Sequence, residues 1–161
     1  MTAKLNSMRL LDTHKVAYAV QTYDPDIHDA TEAAQAMGFP AAQVFKTLVV
    51  ERTSGKPVLV MIPSDAHLDL KKFAAAIGEK KVSMASHASA ESLTGLKVGG
   101  IGALALTQKH WSVYLDQSAS TLETICVSAG QRGVNLRIPV TDLIRVLNAE
   151  LVEASTATPQ S

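Results

Sequence analysis

Lys46 stands within Val44, Phe45, Lys46, Thr47, Leu48, Val49 and Val50, a run that reads as a buried strand and gives its ammonium no polar face to rest on. Side chains alternate along a strand, so Val44, Leu48 and Val50 share the lysine's face while Phe45, Thr47 and Val49 take the other. A buried ammonium is costly unless it is paired, carried to water on its own stem, or shifted in pKa. Two readings follow: a strand-end lysine whose head snorkels to solvent, or a cation held ready for an anionic ligand. Two glycine-containing segments, Val98-Gly99-Gly100-Ile101 and Ser128-Ala129-Gly130-Gln131-Arg132-Gly133, lie further along. With no Cβ in the way, the backbone N–H groups of Gly100 and Gly130 can approach a carbonyl or phosphate oxygen, and Lys46 can neutralise the charge there. Such a pocket binds, orients and polarises.

Other chemistry finds little support. Gly100-Ile101-Gly102-Ala103-Leu104-Ala105 fits a dinucleotide fingerprint, with Asp116 as the ribose-binding acid, but residues 103–110 leave too little chain for the crossover helix such a unit needs. No serine occupies a nucleophile elbow, and Cys126, between Ile125 and Val127, reads as a core thiol. The five histidines, His14, His28, His67, His87 and His110, show no metal-ligand spacing, so neither a metal nor a cofactor is expected. His28, in the loop after Tyr23, is the one site candidate among them, against the ordinary reading of a solvated loop histidine. With no activated nucleophile in view, any hydrolysis must use water or a group on the substrate itself.

These residues need a scaffold to position them. The chain has 161 residues, 47% of them hydrophobic and 19% charged, enough for one domain, expected over residues 1–153. Fifteen basic residues balance fifteen acidic ones, which excludes a polycation that coats nucleic acid; any such partner must be gripped locally. One cysteine, no secretory leader in residues 1–15 and no apolar run near the roughly 18 residues of a membrane span point to a cytoplasmic protein without a membrane partner.

Leu5, Met8 and Leu11 share a helical face, and a strand follows, ending near Tyr23. Asp29 and Glu32 form a capping box for a helix that Gly38 ends, and Pro40 opens a turn into the lysine strand. Residues 57–62 return as the partner of a hairpin. Asp69 caps a helix with Leu70, Phe73, Ala74 and Ile77 inward, and another helix over residues 88–93 stops at Gly95. Strands are expected over residues 111–116, 124–128 and 134–138, the last two joined by a tight turn at 129–133. Thr141 caps a final helix with Leu143, Val146, Leu147 and Leu151 inward, and residues 154–161 read as a disordered tail. Hairpins among helices predict an α+β fold, with a mixed, largely antiparallel, barrel-like sheet flanked by helices.

The segments Phe45-Lys46-Thr47-Leu48-Val49-Val50, Val98-Gly99-Gly100-Ile101 and Val127-Ser128-Ala129-Gly130-Gln131-Arg132-Gly133, in this order and spacing, resemble the YbaK/ProRS-associated (prolyl-tRNA editing) domain family over nearly the whole chain. The resemblance implies a free-standing deacylase that removes a wrong amino acid from tRNA, most like the branch acting on Cys-tRNA(Pro) and Cys-tRNA(Cys). It implies that Lys46 is the essential residue and that Tyr23, Thr47, Gly99, Gly100, Ser128 and Gly130 line the pocket, with Ile101 and His28 beside them. It also implies that the thiol of the esterified cysteine attacks its own carbonyl, so that the enzyme only positions and polarises. Lys71, Lys72, Lys97 and Arg132, with Lys80 and Lys81, are candidates for gripping the acceptor end. A prolyl-tRNA synthetase is the expected partner where the RNA is held loosely. Two departures bear on the amino acid removed: Gly102-Ala103 replaces a frequent Ser-Pro, and the expected aromatic residue falls near His28 and Asp29. The rival readings are a non-catalytic module of the same fold that binds nucleotide, aminoacyl-tRNA or synthetase, and a nucleotide-cofactor oxidoreductase.

Overall fold

The lysine run forms β2 (Phe45–Arg52), the second strand of a five-stranded mixed sheet ordered β5-β2-β3-β6-β9. Its neighbours are β3 (Val58–Pro63), β5 (Val82–Met84), β6 (Val113–Asp116) and β9 (Glu150–Val152). Both β3 and β5 run antiparallel to β2, with Lys46 opposite Ile62, whereas β3 with β6 and β6 with β9 are parallel. A second sheet, β1-β8-β7, is antiparallel and consists of β1 (Ala19–Thr22), β7 (Thr124–Gln131) and β8 (Val134–Pro139). The computed structural model describes residues 4–157, so expectations for 1–3 and 158–161 lie outside the described residues.

Apolar alternation on β2 feeds two cores. Phe45 and Val49 join Leu59, Met61, Leu115, Ile125, Leu136 and Leu143 on one side. Val50, Val58, Val60 and Ile62 pack on the other against Phe73 and Ala74 of α3 (Leu70–Ala76). Every residue of β3 is buried, as expected of a strand covered on both faces. Each fully buried Leu, Ile or Phe contributes roughly 1.5 to 3 kcal/mol, and Phe73 adds an edge-on contact to Tyr114 at 5.4 Å.

Helices close the ends. In α1 (Asn6–Thr13), Met8 and Leu11 face the core, and the buried Ser7 hydroxyl donates to the Ala129 carbonyl at 2.6 Å. In α2 (Ala30–Met37), the Asp29 carboxylate accepts from the Glu32 N–H, and Gly38 ends the helix in a left-handed conformation. Asp69 caps α3 and Ser86 caps α4 (His87–Thr94) in the same way. The last helix, α5 (Val140–Leu147), starts behind Pro139 with no side-chain cap, so Thr141 lies inside it and does not cap it. Leu143 and Leu147 are buried as expected, but Leu70 and Leu151 are exposed.

The α+β class and the mixed, largely antiparallel strand pairing are as expected. The two larger sheets bond strand to strand at one isolated parallel bridge, between Val44 and Cys126, so the arrangement is barrel-like only loosely, with no closing ladder among the described residues. Two further expectations are corrected. Residues 129–131 belong to β7, which bulges between Ser128 and Gln131; the reversal is confined to Arg132 and Gly133. Residues 154–157 are ordered: Ala154 is buried, and β10 (Ser155–Ala157) pairs with β4 (Ala66–Leu68). Asp116 explains that order. Its buried carboxylate accepts from the Ala154 and Ser155 N–H groups at 3.1 and 3.0 Å and from Ser118, which also removes it as a free ribose-binding acid. Gly102 leads into a single 3-10 turn, Ala103–Ala105, where a dinucleotide fold needs a helix.

Candidate functional site

The site begins where the two sheets part. Val44 and Cys126, bridged and buried with Ala34, form an apolar base. Two residues further along the same parallel strands come Lys46 and Ser128, and Ser128 pairs across β7–β8 with Asn135. One row of polar side chains, Lys46, Ser128 and Asn135, therefore spans three neighbouring strands. Beyond it the strands diverge around a cleft of about 570 Å³. Tyr23, His28, Thr47, Gly99, Ile101 and Arg132 line it as well, so most of the residues selected from the sequence do meet.

Lys46 is half-buried. Its Nζ donates to the Ser64 carbonyl at 3.3 Å, which occupies one of three ammonium hydrogens. Burial lowers its pKa from the ordinary lysine value, while the charges of Asp29 and Asp65 oppose that shift. The result is a cation at the cleft wall, backed by carboxylates and a carbonyl.

The glycines serve a different purpose from the one expected. The Gly100 N–H donates to the Lys97 carbonyl at 2.8 Å, and the Gly130 N–H bonds to Ser128 Oγ at 3.1 Å. Neither residue lines the cleft, so the assignment of these two N–H groups to a developing oxyanion does not hold. Their role is close packing. A Cβ on Gly100 would sit 2.6 Å from the Arg132 backbone nitrogen, one on Gly130 would press on Ala105 Cβ at 2.5 Å, and one on Gly102 would collide with the Ser128 carbonyl oxygen. Gly99, left-handed at φ 93°, is the glycine at the cleft.

Val98, which leads into that loop, is held from both sides. Its N–H donates to Glu91 Oε2 at 2.8 Å, and its carbonyl accepts from Arg132 Nε at 2.7 Å. The Val98 bond first, then the charges of Lys97, Arg132 and His87, hold the Glu91 carboxyl below the usual range. Arg132 thus fixes the loop while bordering the cleft. Lys97 is exposed beside it, whereas Lys71 and Lys72 lie on α3 and are not brought to the cleft.

The aminoacyl-tRNA editing domain model matches residues 24–146, a span that contains the row and both loops. The chain belongs to the aminoacyl-tRNA editing domain family. A relative from Enterococcus faecalis, EbsC, named as a candidate Cys-tRNA(Pro)/Cys-tRNA(Cys) deacylase, is 34% identical over 155 residues, covering 95% of this chain and 94% of its own. A proline–tRNA ligase from Acidithiobacillus ferrooxidans is 33% identical over 93 residues, 58% of this chain and 16% of the ligase. Among solved structures, one described as a candidate trans-editing enzyme for prolyl-tRNA synthetase superposes with a TM-score of 0.80 at 22% identity, covering 97% of this chain and 100% of that one. The hypothetical protein APE2540 gives 0.85 at 21% identity, covering 94% and 99%.

For an editing domain, the cleft is notable for what its nucleophile candidates do instead. The Cys126 thiol is buried and pushed up to about 11, with only Arg137 opposing, so it stays protonated inside the wall. Ser128 Oγ accepts from a backbone N–H and is not drawn toward a histidine. Burial raises the Tyr23 phenol against a backbone bond from Gly133. Two buried oxygens on residues at the cleft, Thr47 Oγ1 and Asn135 Oδ1, have no hydrogen-bond partner. Asn135, Glu91 and His87 were missed as cleft residues by sequence reasoning. Asn135 carried a usable signal, because a polar residue between Val134 and Leu136 in a buried strand is the same anomaly as Lys46 in β2.

Proposed function

We propose that the protein is a trans-editing aminoacyl-tRNA deacylase that clears a wrong amino acid, cysteine above all, from tRNA(Pro) or tRNA(Cys). The observation that carries the reading is the half-buried Lys46 ammonium at the wall of a cleft that offers no activated nucleophile of its own. The family supplies the substrate class, the 3' acceptor end of a charged tRNA, and the EbsC relative supplies the amino acid.

A cleft of about 570 Å³ admits an aminoacyl ester with its terminal nucleoside. Lys46 then meets negative charge, either the terminal phosphate or the oxygen that becomes anionic as the ester is attacked. The attacking group comes from the substrate. The cysteine sulfur bonds to its own ester carbonyl carbon, the carbon–oxygen bond to the ribose breaks, and the ribose oxygen takes the proton that left the thiol. The amino acid departs as a thiolactone. Because Gly100 and Gly130 hold no free N–H for the oxyanion, that duty falls on Lys46 in this scheme.

With equal numbers of acidic and basic residues the protein grips RNA weakly, so a prolyl-tRNA synthetase that presents the acceptor end is the expected partner, and the cytoplasm the expected compartment. The test is to incubate the protein with Cys-, Ala- and Ser-charged tRNA(Pro). Loss of the cysteinyl ester, abolished by Lys46→Ala, is expected. No ester loss above background from any of the three overturns the reading.

A further inference from the structure

We infer that Asn135 forms a subsite for the α-ammonium of the esterified amino acid, so that the cleft accepts aminoacyl esters with a free amine and rejects those whose amine is acylated. The inference rests on the proposed deacylase reading and deepens it.

Asn135 is 5% exposed and Thr47 is 9% exposed, yet Asn135 Oδ1 and Thr47 Oγ1 lack hydrogen-bond partners, and both residues line the cleft. Buried polar atoms in folded proteins are nearly always bonded, and an orphan at a cavity wall marks the place where a ligand completes the bond. An amide oxygen only accepts, so the missing group must donate. Asn135 also occupies one end of the polar row whose other end is Lys46, with Ser128 between them. Ser128 and Asn135 are one strand spacing apart, and the sheets part between Ser128 and Lys46, so the two ends of the row are separated by no less than two strand spacings, roughly 10 Å. A ligand that fits the row brings negative charge to one end and a hydrogen donor to the other, which is the layout of an aminoacyl ester on a terminal nucleotide. The separation keeps the ligand ammonium away from the Lys46 ammonium, whose own neighbouring charges are Asp29 and Asp65.

Acylating the amine removes its charge and all but one of its hydrogens, and adds bulk in a place walled by buried side chains. A peptidyl or formylated ester is therefore a poor occupant, and esters that the ribosome has already extended are spared.

The experiment uses two stable probes, 3'-deoxy-3'-(cysteinylamino)adenosine and its N-acetyl form, with binding measured by calorimetry on the intact protein. Wild type is expected to bind the free-amine probe at least tenfold more tightly. Asn135→Ala should bring the two affinities together by weakening the first and leaving the second, and Asn135→Asp, which keeps an acceptor, should restore the preference. Thr47→Val should weaken the free-amine probe as well. Equal binding of the two probes by wild type, or an undiminished preference in a folded Asn135→Ala, overturns the inference. So does a preference that vanishes when the ribose 2'-hydroxyl of the probe is removed, because the donor would then be the sugar. Should Asn135→Ala fail to fold, the wild-type comparison alone decides. Ester loss from charged tRNA is scored separately, so probe discrimination without hydrolysis sinks the deacylase reading, and hydrolysis without discrimination sinks this one.

Discussion

Lys46 Nζ reaches across to the carbonyl of Ser64, 3.3 Å away, at the end of the strand that pairs with its own. Ser64 is itself fixed, its N–H on the Val44 carbonyl at 2.8 Å and its hydroxyl on the Ala41 carbonyl at 2.7 Å. The cation is thereby located by backbone already committed to the hairpin.

That placement fixes how the lysine affects stability. Its folded pKa lies below the unfolded value of 10.5, so the charged form is penalised in the folded state. Between the two values the unfolded chain binds more protons, and folding free energy rises with pH through the window just under 10.5. Lys46→Met should remove that alkaline rise while leaving the fold intact at neutral pH. Denaturant unfolding of both proteins across the window checks it, and identical pH profiles would refute it. The same variant should lose at least about a hundredfold in deacylation, the scale of removing one preorganised charge from a reacting oxygen.

Thr47→Val replaces an orphaned hydroxyl by a methyl of similar size. Relief of its desolvation should raise the unfolding free energy by about 1 kcal/mol, read from urea melts. A gain in stability with a loss of probe affinity separates a ligand-binding hydroxyl from a structural one, which would lose both.

Gly100→Ala should destabilise by roughly 1 to 3 kcal/mol, because its Cβ would meet the Arg132 nitrogen at 2.6 Å and the Gln131 carbonyl carbon at 2.9 Å, main-chain atoms that cannot swing aside. Chemical denaturation measures it. An unchanged midpoint would show that the two loops are not in fixed contact.

Ending the chain after Glu153 deletes both N–H groups that the Asp116 carboxylate accepts from residues 154 and 155. At roughly 1.5 to 3 kcal/mol for a hydrogen bond to a charged group, the truncated protein should lose several kcal/mol of stability. Calorimetric melting tests this, and Asp116→Asn should lose less, since it still accepts hydrogen bonds.

The strand around Lys46 was legible because a charge among β-branched and aromatic neighbours has few places to go. Tyr23, Thr47, Gly99 and Ser128 line the cleft. Gly100 and Gly130 were misread for a reason internal to glycine: a missing Cβ admits a ligand or another stretch of main chain equally well, and only the neighbour reveals which. Residues 154–157 look like a tail because they are small and polar, and their strand is imposed from outside by Ala66–Leu68 and Asp116. Asn135 went unnoticed within a segment read only as strand.

The Val44–Cys126 bridge has a mechanical consequence. Together with the Gln43 side chain on Thr124, at 3.2 and 3.1 Å, it is a hydrogen-bonded join between two sheets that also share a core through Phe45, Val49, Ile125 and Leu136. The walls of the cleft are thereby tied to one another beneath its floor, and turning one sheet against the other would disturb that common packing.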